Sequence, residues 1–311
     1  MTLNRLSTIL AATAVTTLVG LFGAVKPALA ATVQLIGLTD SNSLILFNPD
    51  APTKTRNVTV TGVNGNLLGI DIRPANGLLY GITDTNDIYT IDFGTGEATL
   101  VSSLSPIEFE GGNQSGLDFN PVPDRLRLVG SNDQNLRINV DTGAIADLDM
   151  NPATGFQPDG TLAYAATDVN AGANPNITAA AYTNSFAPSP DPTRMTQLLG
   201  IDSALDVLVL QSPPNAGTLT TIGSLGIDFD VVGGFDILAD GMGNNVAYAA
   251  SNSTLYNINL SNGSASTVGT IGDEPVQLVG LAATTVPESA TGAASLLGLG
   301  GLFLVRRFRK A

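Results

Sequence analysis

One phrase of about a dozen residues recurs along this chain, and a repeated unit dictates a repeated architecture before any single element is considered. Gly37-Leu-Thr-Asp-Ser-Asn-Ser-Leu-Ile-Leu-Phe-Asn48 is matched by Gly81-Ile-Thr-Asp-Thr-Asn-Asp-Ile-Tyr-Thr-Ile-Asp92, Gly130-Ser-Asn-Asp-Gln-Asn-Leu-Arg-Ile-Asn-Val-Asp141 and Ala249-Ala-Ser-Asn-Ser-Thr-Leu-Tyr-Asn-Ile-Asn-Leu260. A weaker copy begins at Gly200-Ile-Asp-Ser-Ala-Leu-Asp206, so that successive starts lie 44, 49, 70 and 49 residues apart. Each copy reads as a strand, a polar turn of Asp, Asn and Ser, and a second strand alternating Leu or Ile with polar or aromatic residues. Turns such as Gly94-Thr-Gly96, Asp141-Thr-Gly143 and Ser261-Asn-Gly263 lead into a further short strand at 98–101, 144–148 and 265–268. One more strand precedes the hairpin at 67–72, 115–119 and 233–237. Four antiparallel strands in ~40–50 residues make one blade of a β-propeller.

The expected fold is therefore all-β, a five-bladed β-propeller spanning residues 31–285. Its first copy lacks a preceding strand, while the last is followed by a surplus one at 277–282, whose Leu278-Val-Gly-Leu281 matches Leu67-Leu-Gly-Ile70. That surplus strand is expected to complete the N-terminal blade, closing the ring and removing two sheet edges. The interval of 70 residues holds an insertion rich in Pro, Asn and Asp at 151–176, with a second Pro-rich run at 185–192. A sixth, degenerate blade near 161–166 is the alternative count.

Of the 311 residues none is His, Cys or Trp. A Ser-His-Asp triad, a Cys-His pair, a zinc site built on His or Cys, a haem and an iron-sulfur cluster are thereby excluded. The core must hold without disulfides, and at 43% hydrophobic residues it has the material to do so. Phosphate-binding Gly-x-x-x-x-Gly-Lys is absent, and Tyr80, Tyr89, Tyr248 and Tyr256 fall at strand positions suited to packing between blades.

The two ends read as addresses. Arg5, the uncharged residues 6–25, Lys26-Pro27 and then Ala28-Leu29-Ala30 form the three parts of a secretory signal peptide over 1–30, with Ala28 and Ala30 as the small residues before the cut. Signal peptidase is the implied first partner. At the other end Val286-Pro287-Glu288-Ser289 precedes apolar residues 290–305 and Arg306-Arg307-Phe308-Arg309-Lys310. A short apolar segment stopped by clustered cations reads as a transmembrane end, the one part of the chain expected to meet a membrane. This three-part tail over 286–311 resembles the PEP-CTERM sorting signal of Gram-negative bacteria, with Ser289 standing where the family has its second Pro. The resemblance implies recognition by an exosortase and delivery to the cell surface, outer envelope or extracellular matrix.

Between these ends seven cations stand against 26 acids, a balance of −19. Such a field repels nucleic acid and anionic lipid and favours divalent cations. The inner strands repeat Gly-x-Asp, as Gly69-Ile-Asp71, Gly116-Leu-Asp118 and Gly234-Phe-Asp236, while Ala282 and Ala181 occupy the matching places in the other blades. If those strands line the channel, Asp71, Asp118 and Asp236 gather at its mouth as metal ligands, with Ca²⁺ the candidate ion. The competing reading has each Asp capping the turn after it, where Pro74 and Pro121 follow three residues on. Weaker candidates are Asp228-Phe-Asp230 with Asp240-Gly-Met-Gly-Asn244, and the hairpin turns Asp40-Ser-Asn42 and Asp84-Thr-Asn86. None of them matches the spacing of a calcium loop.

A carboxylate-pair hydrolase of an extracellular sugar or lactone is the enzyme class the composition permits, and Glu108 and Glu110, beside Gly111-Gly112, are the pair it would use. Aromatic platforms for sugar are scarce, at 5% aromatic residues. The blade pattern with Ala171-Gly-Ala-Asn-Pro-Asn176 and Ala179-Ala-Ala-Tyr182 resembles an exported bacterial family known as domain of unknown function 4394, over most of the mature chain. That resemblance implies the propeller and the exported setting and brings no activity with it. The expected role is a non-enzymatic binding or scaffold module whose partner is an extracellular polysaccharide or a surface protein, with no catalytic residues.

Overall fold

In the computed structural model the described residues are 31–112 and 114–287. The expected signal peptide with Ala28 and Ala30, the apolar tail, and Glu288 and Ser289 of the sorting motif lie outside them. Twenty-one strands follow in chain order: β1 (Ala31–Thr39), β2 (Ser43–Phe47), β3 (Thr55–Thr59), β4 (Leu67–Ile72), β5 (Leu79–Thr83), β6 (Asp87–Ile91), β7 (Ala98–Ser103), β8 (Ser115–Asn120), β9 (Arg125–Gly130), β10 (Asn135–Asn139) and β11 (Ala144–Ile145). They continue with β12 (Ala163–Tyr164), β13 (Ile177–Tyr182), β14 (Leu198–Asp202), β15 (Val207–Gln211), β16 (Thr218–Ser224), β17 (Gly233–Ala239), β18 (Asn245–Ser251), β19 (Thr254–Ile258), β20 (Ala265–Thr270) and β21 (Leu278–Pro287). Helix among the described residues is one 3-10 turn, Pro214–Ala216. None there is long and apolar enough to cross a membrane.

The strands form five sheets, β21-β1-β2-β3, β4-β5-β6-β7, β8-β9-β10-β11, β13-β14-β15-β16 with β12, and β17-β18-β19-β20. Their innermost strands touch in the cycle β4, β8, β13, β17, β21 and back to β4. The fold is a five-bladed propeller. Residues 161–166 make no sixth blade: Ala163 and Tyr164 pair parallel to Thr218 and Leu219, adding a fifth, outermost strand to blade four. Closure is as the surplus strand predicts, with β21 antiparallel to β1 along its length. The pairing runs past residue 285, bringing Val286 opposite Thr32 and Pro287 opposite Ala31, so half of the sorting-like motif belongs to the closing strand.

Apolar side chains fill the five junctions between blades. Ile36, Leu44, Leu67 and Ile91 pack between blades one and two, Ile82, Phe119 and Leu128 between two and three, and Val129, Tyr182 and Leu198 between three and four. Leu199, Leu208 and Phe235 fill the next junction, and Phe47, Leu255 and Leu281 the last. Tyr80 and Tyr89 are buried in these layers, as strand positions imply.

The recurring polar turn does two jobs. Asn42, Asn86, Asp133, Asp206 and Ser253 all take positive φ, between 52° and 65°, where Asn and Asp carry less strain than most residues. That conformation aims each residue's carbonyl at an amide beyond its own blade's hairpin: Val60, Leu104, Leu162, Leu225 and Ile271 donate to them in turn. Four of the five side chains then reach forward to the next blade. The amides of Leu67, Phe109, Phe229 and Val276 donate to Asn42 Oδ1, Asn86 Oδ1, Asp206 Oδ1 and Ser253 Oγ at 2.7–2.8 Å. The turns Asp40-Ser-Asn42 and Asp84-Thr-Asn86 are thus blade locks, and Asp84 spends its carboxylate on the Asn66 amide and side chain.

Blade three breaks the pattern, and charge replaces it. Arg127, 1% exposed, donates to Asp159 at 2.7 Å, and Arg137 holds the same carboxylate. Arg73 likewise joins blades two and three through Asp124 and Asp141, both at 2.6 Å.

If the turn side chain is a lock, Asn86→Gly keeps the backbone conformation and leaves the buried Phe109 amide without an acceptor. The expected loss is about 1–3 kcal/mol in urea unfolding. Asn86→Ala should lose about 1–2 kcal/mol more from the left-handed φ. Equal stability of the Gly variant and the parent would dismiss the inter-blade role.

Candidate metal centre at the propeller axis

The Gly-x-Asp step acquires its meaning at the axis. Side chains two apart in a strand share a face, so each glycine lies one level below its aspartate along the channel. At the glycine level the inner strands meet backbone to backbone: a Cβ on Gly234 would stand 2.6 Å from Leu281 Cβ, and one on Gly116 would run into the main chain at Ala179 and Ala180. Glycine lets neighbouring inner strands close to this distance. One level up, the same closeness converges the carboxylates.

Asp71, Asp118 and Asp236 each place one oxygen within 4.8 Å of the other two, and all three residues are buried. The spacing predicts this cluster, and the structure brings it together. Ala181 and Ala282, both 0% exposed, fill the remaining two positions of the ring. The capping alternative does not describe these side chains, since Asn76 Oδ1 and Asn120 Oδ1 accept the turn amides of Leu78 and Val122 instead. Asp71 takes the Ile72 amide on Oδ1 at 2.6 Å and the Phe119 amide of the next blade on Oδ2 at 2.8 Å. Asp236 repeats this with Ile237 and with Ala283 of the closing strand, both at 2.5 Å. Asp118 departs from it: its carboxyl lies within hydrogen-bond reach of the Tyr182 amide and of the Asp236 carboxyl, while its buried Oδ1 finds no donor when all three aspartates are ionised.

Burial drives the carboxyls upward. Asp118 is raised well above the ordinary carboxylate range, first by desolvation and then by the negative charges of Asp71 and Asp236. Asp71 is raised by desolvation and then by Asp236. Desolvation lifts Asp236 to about 6, with the Ala283 and Ile237 amides pulling the other way. Two like charges at this separation repel by about 3 kcal/mol at an effective dielectric constant of ~20. Three ionised carboxylates here need a cation or protons.

Asp71 and Asp236 also line a cleft of about 240 Å³ at the C-terminal ends of the inner strands, with Pro74, Leu238, Thr284 and Thr285. Ser185 and Phe186, from the Pro-rich run, form part of its wall. That loop is pinned across blade three, Ser185 Oγ and Ser189 Oγ donating to the Phe119 and Pro121 carbonyls. Arg194 holds the loop from within, donating to the Phe186 and Pro188 carbonyls while lying 3.8 Å over the Phe186 ring. Nothing in the sequence pattern marks the loop or the closing-strand threonines as part of the mouth. Their proximity to the aspartates is created by ring closure.

The other candidates do not assemble. Glu108 and Glu110 are exposed on either side of the buried Phe109, in the loop entering β8. They sit before the N-terminal end of that strand, whereas Asp118 is near its C-terminal end. Asp230 caps the Val232 amide ahead of β17, and Asp240 closes its own turn through Met242 and Asn244 beyond it. Only Asp236 of that acidic stretch faces the axis.

A family model described as domain of unknown function (DUF4394) matches residues 43–282. Curated proteins return no match. Among solved structures, a structural-genomics protein of unknown function from Bacteroides thetaiotaomicron VPI-5482 is 17% identical, with 80% of this chain and 64% of that one covered at a TM-score of 0.42. A catalytically inactive virginiamycin B lyase from Staphylococcus aureus with quinupristin is 11% identical, with 76% and 69% covered at 0.39. An auxiliary nutrient-binding protein from Bacteroides ovatus ATCC 8483 is 11% identical, with 82% and 62% covered at 0.39. The present chain spans less than two thirds of the first and third of these.

The raised carboxyls set a sign for pH. A carboxyl whose folded pKa lies above its unfolded value binds more protons in the folded state, so stability falls as pH rises through the folded pKa. Cation-free protein should therefore lose stability as pH rises from about 4 through the value near 6 for Asp236, with the raised carboxyls of Asp71 and Asp118 adding to the fall. Asp118→Asn should raise the melting temperature at pH 8 and flatten that slope. A cation-free parent that gains stability over the same interval contradicts the assignment.

Proposed function

The chain belongs to the DUF4394 family, and from that premise, which brings a fold without a chemistry, we propose that it is an exported, non-enzymatic binding module whose axis holds a divalent cation. One observation carries the reading: three buried carboxylates converge within 4.8 Å, and one of their oxygens is buried without a partner. Carboxylate oxygens are hard donors, and with neither His nor Cys in the chain the set suits calcium or magnesium over zinc, copper or iron. Calcium fits better. Its tolerance of irregular oxygen geometry matches ligands drawn from three separate blades, whereas magnesium demands a near-ideal octahedron.

The exported setting rests on the N-terminal three-part pattern, and the acidic surface and the cluster agree with surroundings where calcium is abundant. Glu108 and Glu110, exposed on a loop at the far ends of the strands, give a hydrolase no paired site at the cleft. Three carboxylates against two positive charges leave one negative charge at the centre, which the Ile72, Phe119, Ile237 and Ala283 amides that donate to Asp71 and Asp236 help to offset.

Thermal unfolding of the protein with calcium and then chelator tests the proposal. A ligand held only by the native state at ~100 times its Kd adds about 2.7 kcal/mol, which for a domain of this size is about 5–10 °C. The rise should reverse with chelator and vanish in Asp71→Asn, Asp118→Asn and Asp236→Asn. A melting temperature indifferent to calcium returns the cluster to a purely proton-balanced role.

A further inference from the structure

Building on the cation reading, we infer that the bound ion faces the cleft with open coordination positions and there holds a neutral, hydroxyl-rich ligand of one-ring size, the terminal sugar unit of a glycan.

Donor supply is the first argument. Calcium takes about six to eight oxygens, and four of the six carboxylate oxygens at this centre already accept main-chain amides. The protein's side chains leave the shell unfilled. On the glycine side the inner strands leave a pocket of only about 10 Å³, lined by Gly69, Gly116, Gly234 and Gly280, room for no more than a single water. On the other side the cleft reaches Asp71 and Asp236 directly. The remaining donors must therefore arrive through the cleft, as water or as ligand oxygens.

Charge selects among ligand oxygens. Among the described residues the cleft wall carries no Lys or Arg, and Asp71 and Asp236 are its only charged residues. An anionic ligand would meet a centre that is still negative after the ion is bound, inside a domain of charge −19. Neutral hydroxyls coordinate calcium without that repulsion. Thr284, Thr285 and Ser185 add hydroxyls, and Phe186 adds an apolar edge for the C–H face of a ring. Ser185 already donates to the Phe119 carbonyl, so it meets a ligand as an acceptor. Size sets the final limit. At about 240 Å³ the cleft is below the ~300–1,000 Å³ that takes drug-sized molecules. It suits one ring or a chain end.

The test is calorimetry on the calcium-saturated protein with methyl α-mannoside, methyl β-galactoside and methyl α-fucoside, and with galacturonate as the anionic counterpart. At least one neutral glycoside should bind with a Kd of about 1–10 mM. Binding should weaken at least ~10-fold, about 1.4 kcal/mol, with chelator or in Asp236→Asn. Thr285→Val should weaken the glycoside and leave the calcium-induced melting shift intact. A normal calcium shift with no glycoside bound at about 50 mM overturns this inference alone, as does glycoside binding that survives chelator or tighter binding of galacturonate. Absence of the calcium shift itself overturns the cation reading and this inference with it.

Discussion

The rest of the molecule depends on how closely five strands approach one axis. At Gly116 and Gly234 that approach leaves no room for a Cβ, because the neighbouring main chain occupies its place. The ring closes at this diameter only while those positions stay bare. The consequence is chemical as much as steric. Carboxylates carried two residues further along three of the five strands are brought within 4.8 Å of each other, out of water. An arrangement that begins as a packing requirement ends as a site whose charge must be balanced.

Closeness at the axis would be lost if the blades slipped at their rims, and the polar turns oppose this. A residue in the left-handed region directs its carbonyl and its side chain to different amides, one in its own blade's rim and one at the entrance of the next blade. The same Asn or Asp that makes the hairpin also registers it against its neighbour. Where the repeat is interrupted, between blades three and four, a buried ion pair and its amide partners take over: Arg127 reaches Asp159 and Asn135, and Asn215 accepts from the same guanidinium. Buried pairs of this kind contribute little net stability over an apolar substitute, yet losing one partner is costly. Their geometry demands one register. A lock of that sort suits a junction whose connecting segment is long.

How legible this was follows from whether an interaction is repeated or unique. The blades, the closing strand and the three aspartates each repeat a local pattern, so the Gly-x-Asp step of Gly69-Ile-Asp71 and its counterparts exposes them. The two-residue strand at Ala163 and Tyr164 pairs parallel to β16 from across an irregular insertion, too short to leave a period. Asp159 reads in the sequence as one more acid in a polar loop, though it is 3% exposed and shared by two arginines. Its partners lie 22 and 32 residues away. The amides that hold Asp71 and Asp236 are main-chain groups of the next blade, and composition carries no trace of them. Unique, non-local contacts of this kind become visible only once the ring is closed.

The axis is not five-fold symmetric, and the asymmetry has a physical reading. Five aspartates would place five negative charges in a buried space that one dication could not balance. Ala181 and Ala282 remove two of them, on either side of Asp236 in the ring order. The Ala283 amide, one residue beyond Ala282, is what Asp236 Oδ2 accepts, and Ala283 belongs to the strand that closes the propeller. An ionised Asp236 makes that bond charge-assisted and so strengthens the joint between the last blade and the first. A neutral one weakens it. A cation at the centre, as proposed, would keep Asp236 ionised without the repulsion of its partners, and would thereby couple occupancy of the axis to the closure of the ring.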